Sequence, residues 1–581
     1  MEKELPYKNL VHLVRHACTT MSVGKDATVD GSVIVAHADD DVADERVIYV
    51  PAAAYNESDT RQVYYDDASL GHTLSDGKTK YNYSELYRYI GESRGPGYNT
   101  DADKSHFSIP LGSIPQYPKD DPDYPLDLPK ELKTYAYFDS NYGIMNEHQL
   151  MIGECTCGAK IHPEPKPGKR IFYAAELSRV ALERCTNARD AINLIGYLIE
   201  KYGYYGTGET LLIGDPNEAW VIEMCGYDMD GTDGIWVAQR VPDDGFFVAA
   251  NEFRIRDVEE GKDKDSENMK YSSNLFEVCK ANGWLDKSAK EMDWLPTVSW
   301  GEYGHPYYSL RRVWRALAKV KPSLVLPAWV EGGYTKVYPF SVTPDKKLSV
   351  ADVAAIFRDH YEGTEFDLTN GPAAGPFGDP TRYELNPDQG DTFNLNHYHP
   401  QGAWERSISI YRCGMMWINQ GRRLLPDTVG GICWIGLDRP AANCLMPFFV
   451  GVNKLPRKME TMNLMEFSRD SAWWAFNFVA NYATLKYSYM IKDINKLREE
   501  LENKAYDAIG KIDQNVSIDD LTAFCEKNMN DVVSNWWKLS EMLIVKYNDG
   551  CITDEHGIMQ HIGYPRSWLR HVGYFEGPIK Y

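Results

Sequence analysis

Cys18, followed by Thr19 and Thr20, opens a segment that ends on three consecutive carboxylates, Asp39, Asp40 and Asp41. A thiol becomes a strong nucleophile when a base removes its proton. An α-amino group, with an unperturbed pKa of about 7.7 to 8.0, is suited to take that proton near neutral pH. A cysteine at a chain terminus carries both groups in one residue. These residue types therefore suggest that residues 1–17 are a removable leader, cleaved between Ala17 and Cys18. An edge hairpin with a buried thiol is the plainer alternative.

Positioning the carboxylates falls to a hairpin. Cys18 to Val23 is rich in β-formers, Asp30-Gly31 is a strong turn signal, and Ser32 to Ala36 is a second short apolar strand. Folding at that turn places Asp40 roughly opposite Met21, about 10 Å along the strand from Cys18 at roughly 3.3 Å per residue. A bulge in Gly24-Lys25-Asp26 would shift this register. From that end of the sheet Asp40 can hold the new α-ammonium and orient the base; a solvated acidic strand end fits the same spacing.

The rest of the chain supplies a scaffold. Residues 52–135 are polar and rich in Tyr, Asp, Gly and Pro, as in a long surface excursion. Strand-turn-strand character returns around Asn146-Glu147, and "AAELSRVALERCTNARDAINLIGYLIEKYG" predicts one or two helices closing on Gly203. "ETLLIGDPNEAWVIEMCG" is a hairpin about Gly214-Asp215-Pro216-Asn217, and "GFFVAANEFRI" a buried strand with a polar end at Asn251. "SISIYRCGMMWI" and "VGGICWIGLD" read as further strands. From Ser468 to Asn503 a long helical pattern carries Trp473, Trp474, Phe478, Tyr482 and Leu485 as core residues. Stacked layers of sheet and helix follow, in a mostly antiparallel α+β class. The expected organisation is a leader over 1–17, a core over 18–510 with an insertion at about 52–135, and a helical extension over 511–581 packed on the core.

Composition narrows the function. The 581 residues are 43% hydrophobic and 25% charged, as in a globular protein, with a net charge of −22 that disfavours nucleic acid and anionic membranes as partners. No apolar run approaches the roughly 18 to 20 residues of a membrane span. His12, Arg15 and His16 interrupt the start, which is unlike a secretory signal and points to the cytoplasm unless the gene begins further upstream. Eleven cysteines without dense spacing do not form a disulfide framework, and Cys155-x-Cys157 lacks a second pair at zinc spacing. Dinucleotide and zinc-protease motifs are absent, so neither cofactor nor metal is expected. A homo-oligomer is left open.

Five separated segments then agree in order with one family. "CTTMSVGKDATVDGS", "YGIMNEHQLMIGECT", "HPYYSLRRVWRAL", "ERSISIYRCGMMWI" and "SAWWAFNFVANYA" together resemble the cysteine dipeptidases of the N-terminal nucleophile hydrolase superfamily, the dipeptidase A family, from about Cys18 to near residue 500. The resemblance implies a four-layer αββα core, self-removal of a short leader, and hydrolysis of dipeptides with broad side-chain tolerance. Penicillin V acylases and bile salt hydrolases, in the same superfamily, place Arg and Asp after the second strand; His37 and Asp40 stand there, with His in place of Arg. Their oxyanion asparagine resembles Asn251, and a helix-start arginine resembles Arg311 or Arg312. Asn146 and Glu147 match the shared turn, and a second oxyanion asparagine would fall near Thr156 or Cys157. A dipeptide also presents an ammonium and a carboxylate, for which Asp39 or Asp41 and one of the two arginines are suited. The resemblance thus implies Cys18, Asp40, Asn251 and Arg312 as catalytic, and His37, Asp39, Asn146, Glu147, Thr156 and Arg311 as substrate-binding. An acyl-amide hydrolase on the same scaffold, or a binding homologue without activity, are the alternatives.

Overall fold

The computed structural model describes residues 18–40, 46–64, 110–227, 234–261, 267–301, 308–330, 332–383, 405–462 and 467–575. Residues 1–17, with Ala17, and Asp41 lie outside them. In chain order the strands are β1 (Thr19–Val23), β2 (Val33–Asp39), β3 (Ile48–Val50), β4 (Thr60–Tyr64), β5 (Pro110–Pro115), β6 (Tyr137–Asp139), β7 (Gly143–Asn146), β8 (Met151–Cys157), β9 (Gly208–Gly214) and β10 (Ala219–Gly226). They continue as β11 (Gly234–Val241), β12 (Phe246–Ala249), β13 (Asp257–Glu259), β14 (Met269–Tyr271), β15 (Glu291–Asp293), β16 (Ser341–Val342), β17 (Met415–Gly421), β18 (Ile432–Leu437) and β19 (Met446–Phe449).

Seven strands form one antiparallel sheet in the order β16-β12-β1-β2-β17-β18-β19, and eight form a second in the order β14-β11-β10-β9-β8-β7-β6-β3. The sheets face each other through β1 and β2 on one side and β8 and β9 on the other. Gly153 permits the approach: a Cβ there would stand 3.0 Å from Thr20 Oγ1, 3.2 Å from Val35 and 3.4 Å from Trp417. Helices Ala174–Arg184 and Ala188–Tyr202 cover the eight-stranded sheet. Helices Leu310–Val320, Val350–Phe357, Ala472–Ala483, Tyr487–Ile509 and Ile518–Lys546 contact the seven-stranded one. Covered strands bury both faces, which is why β1, β2, β8, β9 and β10 are buried throughout, including the polar residues of β1 and β8. The class is α+β.

Local chemistry explains the elements. Asn187 caps its helix by accepting the Asp190 N–H, and Gly203 ends it at φ 74°. Asp215 closes the β9–β10 turn by accepting the N–H groups of Asn217 and Glu218 at 2.7 and 3.2 Å. The first hairpin forms with a different register from the expected one. Its loop, Gly24 to Ser32, is centred on Thr28-Val29, where Thr28 Oγ1 donates to Ser32 O at 2.7 Å. Asp30 makes a local turn to Ser32 and accepts Gln420 Nε2 at 2.6 Å. Met21 therefore pairs with Ala36 rather than Asp40, and Thr19 with Ala38, so Asp39 comes level with Cys18.

Two further expectations are corrected. The strand within "SISIYRCGMMWI" starts only at Met415. The pattern over 468–503 is two helices separated by a 3-10 turn at Thr484–Lys486, which breaks the helical phase and leaves Leu485 exposed. Among the described residues no helix is long and apolar enough to cross a membrane.

Strands β4 and β5 pair as a ribbon tied to the core by a buried cation. Arg61 reaches Glu176 at 2.5 Å and Glu183 at 2.8 Å, all three side chains buried. Removing the arginine takes from Glu183 its buried cation and leaves Glu176 with Arg179, so Arg61→Met is expected to cost about 3 to 5 kcal/mol. A urea midpoint that moves by less than the equivalent of about 1 kcal/mol, the range of a surface pair, would contradict this reading.

Candidate active site

Cys18 stands one residue before β1, fully buried, and its thiol donates to Glu154 Oε2 at 3.1 Å. Glu154 is on β8, and its other oxygen accepts the Thr156 hydroxyl at 2.6 Å. Burial, then the charges of Glu154, Asp39, Cys155 and Asp40, push the Cys18 thiol well above its usual range, so the thiol is protonated at neutral pH. Behind it, burial and the neighbouring Glu154 push the Glu209 carboxyl up, and Tyr173 donates to that carboxyl.

Arg312 binds the centre together. Its five N–H donors all find acceptors: Cys18 O at 2.8 Å, Thr19 Oγ1 at 3.0 Å, Ala250 O at 3.1 Å, Asn251 Oδ1 at 2.7 Å and Tyr308 O at 2.9 Å. None of these is a carboxylate. Burial, followed by repulsion from Arg406, lowers the guanidinium to about 10. The adjacent Arg311 runs elsewhere because successive helical residues diverge by 100°. It pairs with Glu405 at 3.1 Å, donates to Ala328 O, and lies 3.5 Å from the Phe366 ring centroid. Arg311 therefore takes no part in the Arg312 contacts around Cys18.

Asn251 follows the end of β12 with φ 63°, a left-handed conformation that asparagine tolerates better than most residues and that marks functional sites. Its N–H approaches Cys155 Sγ at 2.9 Å, and its amide Nδ2 donates to Thr156 O at 2.7 Å. One amide hydrogen remains for another acceptor. Downstream, buried Glu223 on β10 accepts the Arg254 and Ile255 N–H groups at 2.5 and 3.2 Å, anchoring the segment that carries Asn251.

At the end of β2, His37 Nδ1 lies 2.8 Å from the Glu154 carbonyl and its ring 5.2 Å from that of Trp417. Asp39 accepts from Asn141 Nδ2 at 2.6 Å. Arg179 holds Asn141 through its carbonyl at 2.7 Å and joins it to Glu176 at 3.2 Å, the acid that also pairs with Arg61. Asp40 pairs with Arg406 at 2.6 Å, and its carbonyl accepts from Arg412.

Cys18, His37, Asp39, Asp40, Thr156, Asn251 and Arg312 are therefore gathered at one end of the facing sheets. Asn146 and Glu147 are not. Asn146 donates to Leu182 O and Cys185 O at 2.9 and 2.8 Å and accepts the His148 and Leu150 N–H groups, while Glu147 accepts the Ala136 N–H; they build the turn before β8. Sequence reasoning missed Glu154, Arg406 and Arg412. A glutamate inside the buried run "MIGECTC" was the available signal for the first; the arginines lie more than 360 residues from Asp40 and gave none.

A buried thiol with a carboxylate acceptor, an asparagine amide and an arginine, on an α+β scaffold, has the parts of a thiol hydrolase. Comparison with known proteins agrees on the class. The model of peptidase family C69 matches residues 124–500. A "Probable dipeptidase" of Latilactobacillus sakei is 25% identical over 459 residues, covering 77% of this chain and 78% of its own. A "Probable dipeptidase" of Salmonella dublin is 25% identical over 75% of this chain and 81% of its own, and a "Dipeptidase" of Bifidobacterium longum (strain NCC 2705) 22% identical over 87% and 84%. The chain belongs to peptidase family C69, the dipeptidase A family of cysteine peptidases.

Glu223 gives a pH test of the Asn251 support. Burial raises its carboxyl from 4.5 to about 8. A raised folded pKa gives stability that is fully present below the unfolded value and is lost as pH climbs through the folded one. Relative to Glu223→Gln, which cannot ionise, the wild type should lose melting temperature progressively between pH 4.5 and about 8. A Tm difference constant over that window would contradict the assignment.

Proposed function

We propose that the chain is a cysteine dipeptidase in which Cys18, exposed as an amino terminus by removal of residues 1–17, is the nucleophile and its α-amine the general base. The observation that carries this is the Arg312 contact set, which ties the Cys18 carbonyl and the Asn251 side chain to one cation. The paired sheets and their helices are read as the four-layer αββα core, with residues 52–135 as an insertion and 511–581 as an extension. Leader removal uses the same thiol: it attacks the Ala17 carbonyl, the peptide nitrogen leaves as the Cys18 amine, and water hydrolyses the thioester.

In the mature site the amine takes the thiol proton as sulfur attacks the peptide carbonyl, and returns it to the leaving amine. A raised thiol pKa favours this concerted transfer over a standing thiolate. Asn251 Nδ2, with backbone N–H groups, receives the oxyanion. Arg312 polarises that amide through Oδ1. Asp40, steadied by Arg406, holds the ammonium form of the terminal amine. Water then clears the acyl-enzyme. For the substrate carboxylate, the cavity lined by Tyr308, Arg382, Glu405, Arg406, Arg412 and Arg439 offers a basic subsite, with Arg311 paired to its Glu405.

Dipeptides should be hydrolysed in preference to acyl amides lacking a free ammonium. A panel in which only acyl amides react would favour the amidase reading, and no hydrolysis of either would favour a binding homologue. Thiol alkylation should abolish dipeptide hydrolysis and chelation should leave it intact; inhibition by chelators that zinc restores would point to a metallopeptidase.

Asn251→Ala should lower kcat by about 100- to 1000-fold with the fold retained. Asp40→Asn should slow turnover and displace its pH profile across about pH 6 to 9, where an α-amine titrates. Wild-type rates throughout that range would make Asp40 structural only.

A further inference from the structure

The end of β2 and the residue before β1 bring three different donor atoms together. A sulfur from Cys18, a ring nitrogen from His37 and a carboxylate oxygen from Asp39 lie within 4.8 Å of one another, all three residues buried. The register creates this cluster: Thr20 pairs with His37 and Thr19 with Ala38, so Cys18 and Asp39 meet at the strand ends.

Two neighbours already orient these donors. A backbone carbonyl can only accept, so His37 Nδ1, 2.8 Å from Glu154 O, carries the ring proton and leaves Nε2 with its lone pair. Asn141 Nδ2 holds Asp39 Oδ2 at 2.6 Å, fixing the carboxylate plane, and Arg179 in turn holds Asn141. Such outer contacts are what metal-ligating imidazoles and carboxylates use to set orientation.

We infer that Cys18, His37 and Asp39 form a three-ligand site for Zn²⁺ that occupies the nucleophile and reversibly blocks it. A mixed sulfur, nitrogen and oxygen set suits a borderline-soft cation and disfavours Mg²⁺ or Ca²⁺, which take oxygen alone. Tetrahedral zinc with bonds of about 2.0 to 2.3 Å holds its ligand atoms roughly 3.5 Å apart, so closing the cluster by about 1 Å completes three corners and leaves the fourth for water. On binding, the Cys18 S–H bond breaks and a Zn–S bond forms. The proton passes to Glu154, its hydrogen-bond acceptor, and then to solvent. No oxidant or reductant is required.

The inhibition rests on Cys18 being the nucleophile, whereas the binding does not, so the two are measured separately. Chelator-stripped wild-type protein should bind one Zn²⁺ per chain in a calorimetric titration. With Co²⁺ as probe it should show a thiolate-to-cobalt charge-transfer band in the near ultraviolet. Cys18→Ser should lose that band, and His37→Gln and Asp39→Asn should each weaken Zn²⁺ binding by about 10-fold or more. In the hydrolysis assay Zn²⁺ should inhibit and a chelator should restore the rate. Undiminished affinity in Cys18→Ser would overturn the site and assign the cation to the acidic surface, and a rise in hydrolysis with Zn²⁺ would overturn the blocking role. If His37→Gln fails to fold, the cobalt band and its loss in Cys18→Ser decide alone. Zinc binding that depends on Cys18 in a chain without dipeptidase activity would sink the functional reading and leave the site standing.

Discussion

A buried guanidinium with five acceptors and no carboxylate among them is the constraint around which the centre is built. Taking an arginine out of water costs several kcal/mol, and hydrogen bonds to a charged group return roughly 1.5 to 3 kcal/mol each, so Arg312 is tolerable only with nearly every donor used. Those donors fix the start of β1, the end of β12 and the helix N-terminus at Tyr308 relative to one another. Because no contacting anion neutralises it, its positive charge stays at the Cys18 carbonyl and the Asn251 amide. In the proposed mechanism a negative oxygen develops beside that amide, so one group would serve both architecture and electrostatics.

The thiol sits in the opposite environment. Burial and the charges of Glu154, Asp39 and Asp40 all disfavour a thiolate. Such a field suits a cation at the same place, and the proposed terminal ammonium would be one. With residues 1–17 attached, the Cys18 nitrogen is a neutral amide and the carboxylates have no new charge to balance. Removing the leader would supply it. The inferred zinc site draws on the same excess of anionic and electron-pair donors, and the ion-pair chain from Arg61 through Glu176 and Arg179 to Asn141 and Asp39 holds them in place.

Much of the fold was legible because its signals are local. The β9–β10 turn announces itself in Asp215-Pro216-Asn217, and the helical segment in its apolar spacing and its end at Gly203. The first hairpin was legible as a hairpin but not in register, since Asp30-Gly31 is a turn within the loop rather than its apex. At the site, sequence could narrow the arginine to a neighbouring pair, and the 100° step of a helix separates them. Glu154, Arg406 and Arg412 meet Cys18 and Asp40 only through packing of distant segments, which no spacing along the chain encodes. Asn146 and Glu147 build the turn before β8, and along the sequence a turn motif shared for structural purposes looks the same as one shared for chemistry.

The amino terminus of fully active wild-type protein, read by intact mass and N-terminal sequencing, tests the central claim most directly. The account predicts that active chains begin at Cys18 and that activity rises in step with the fraction of chains lacking residues 1–17. Full activity in material that still begins at Met1 would contradict it, because the Cys18 nitrogen would then be an amide and the base would have to be another group.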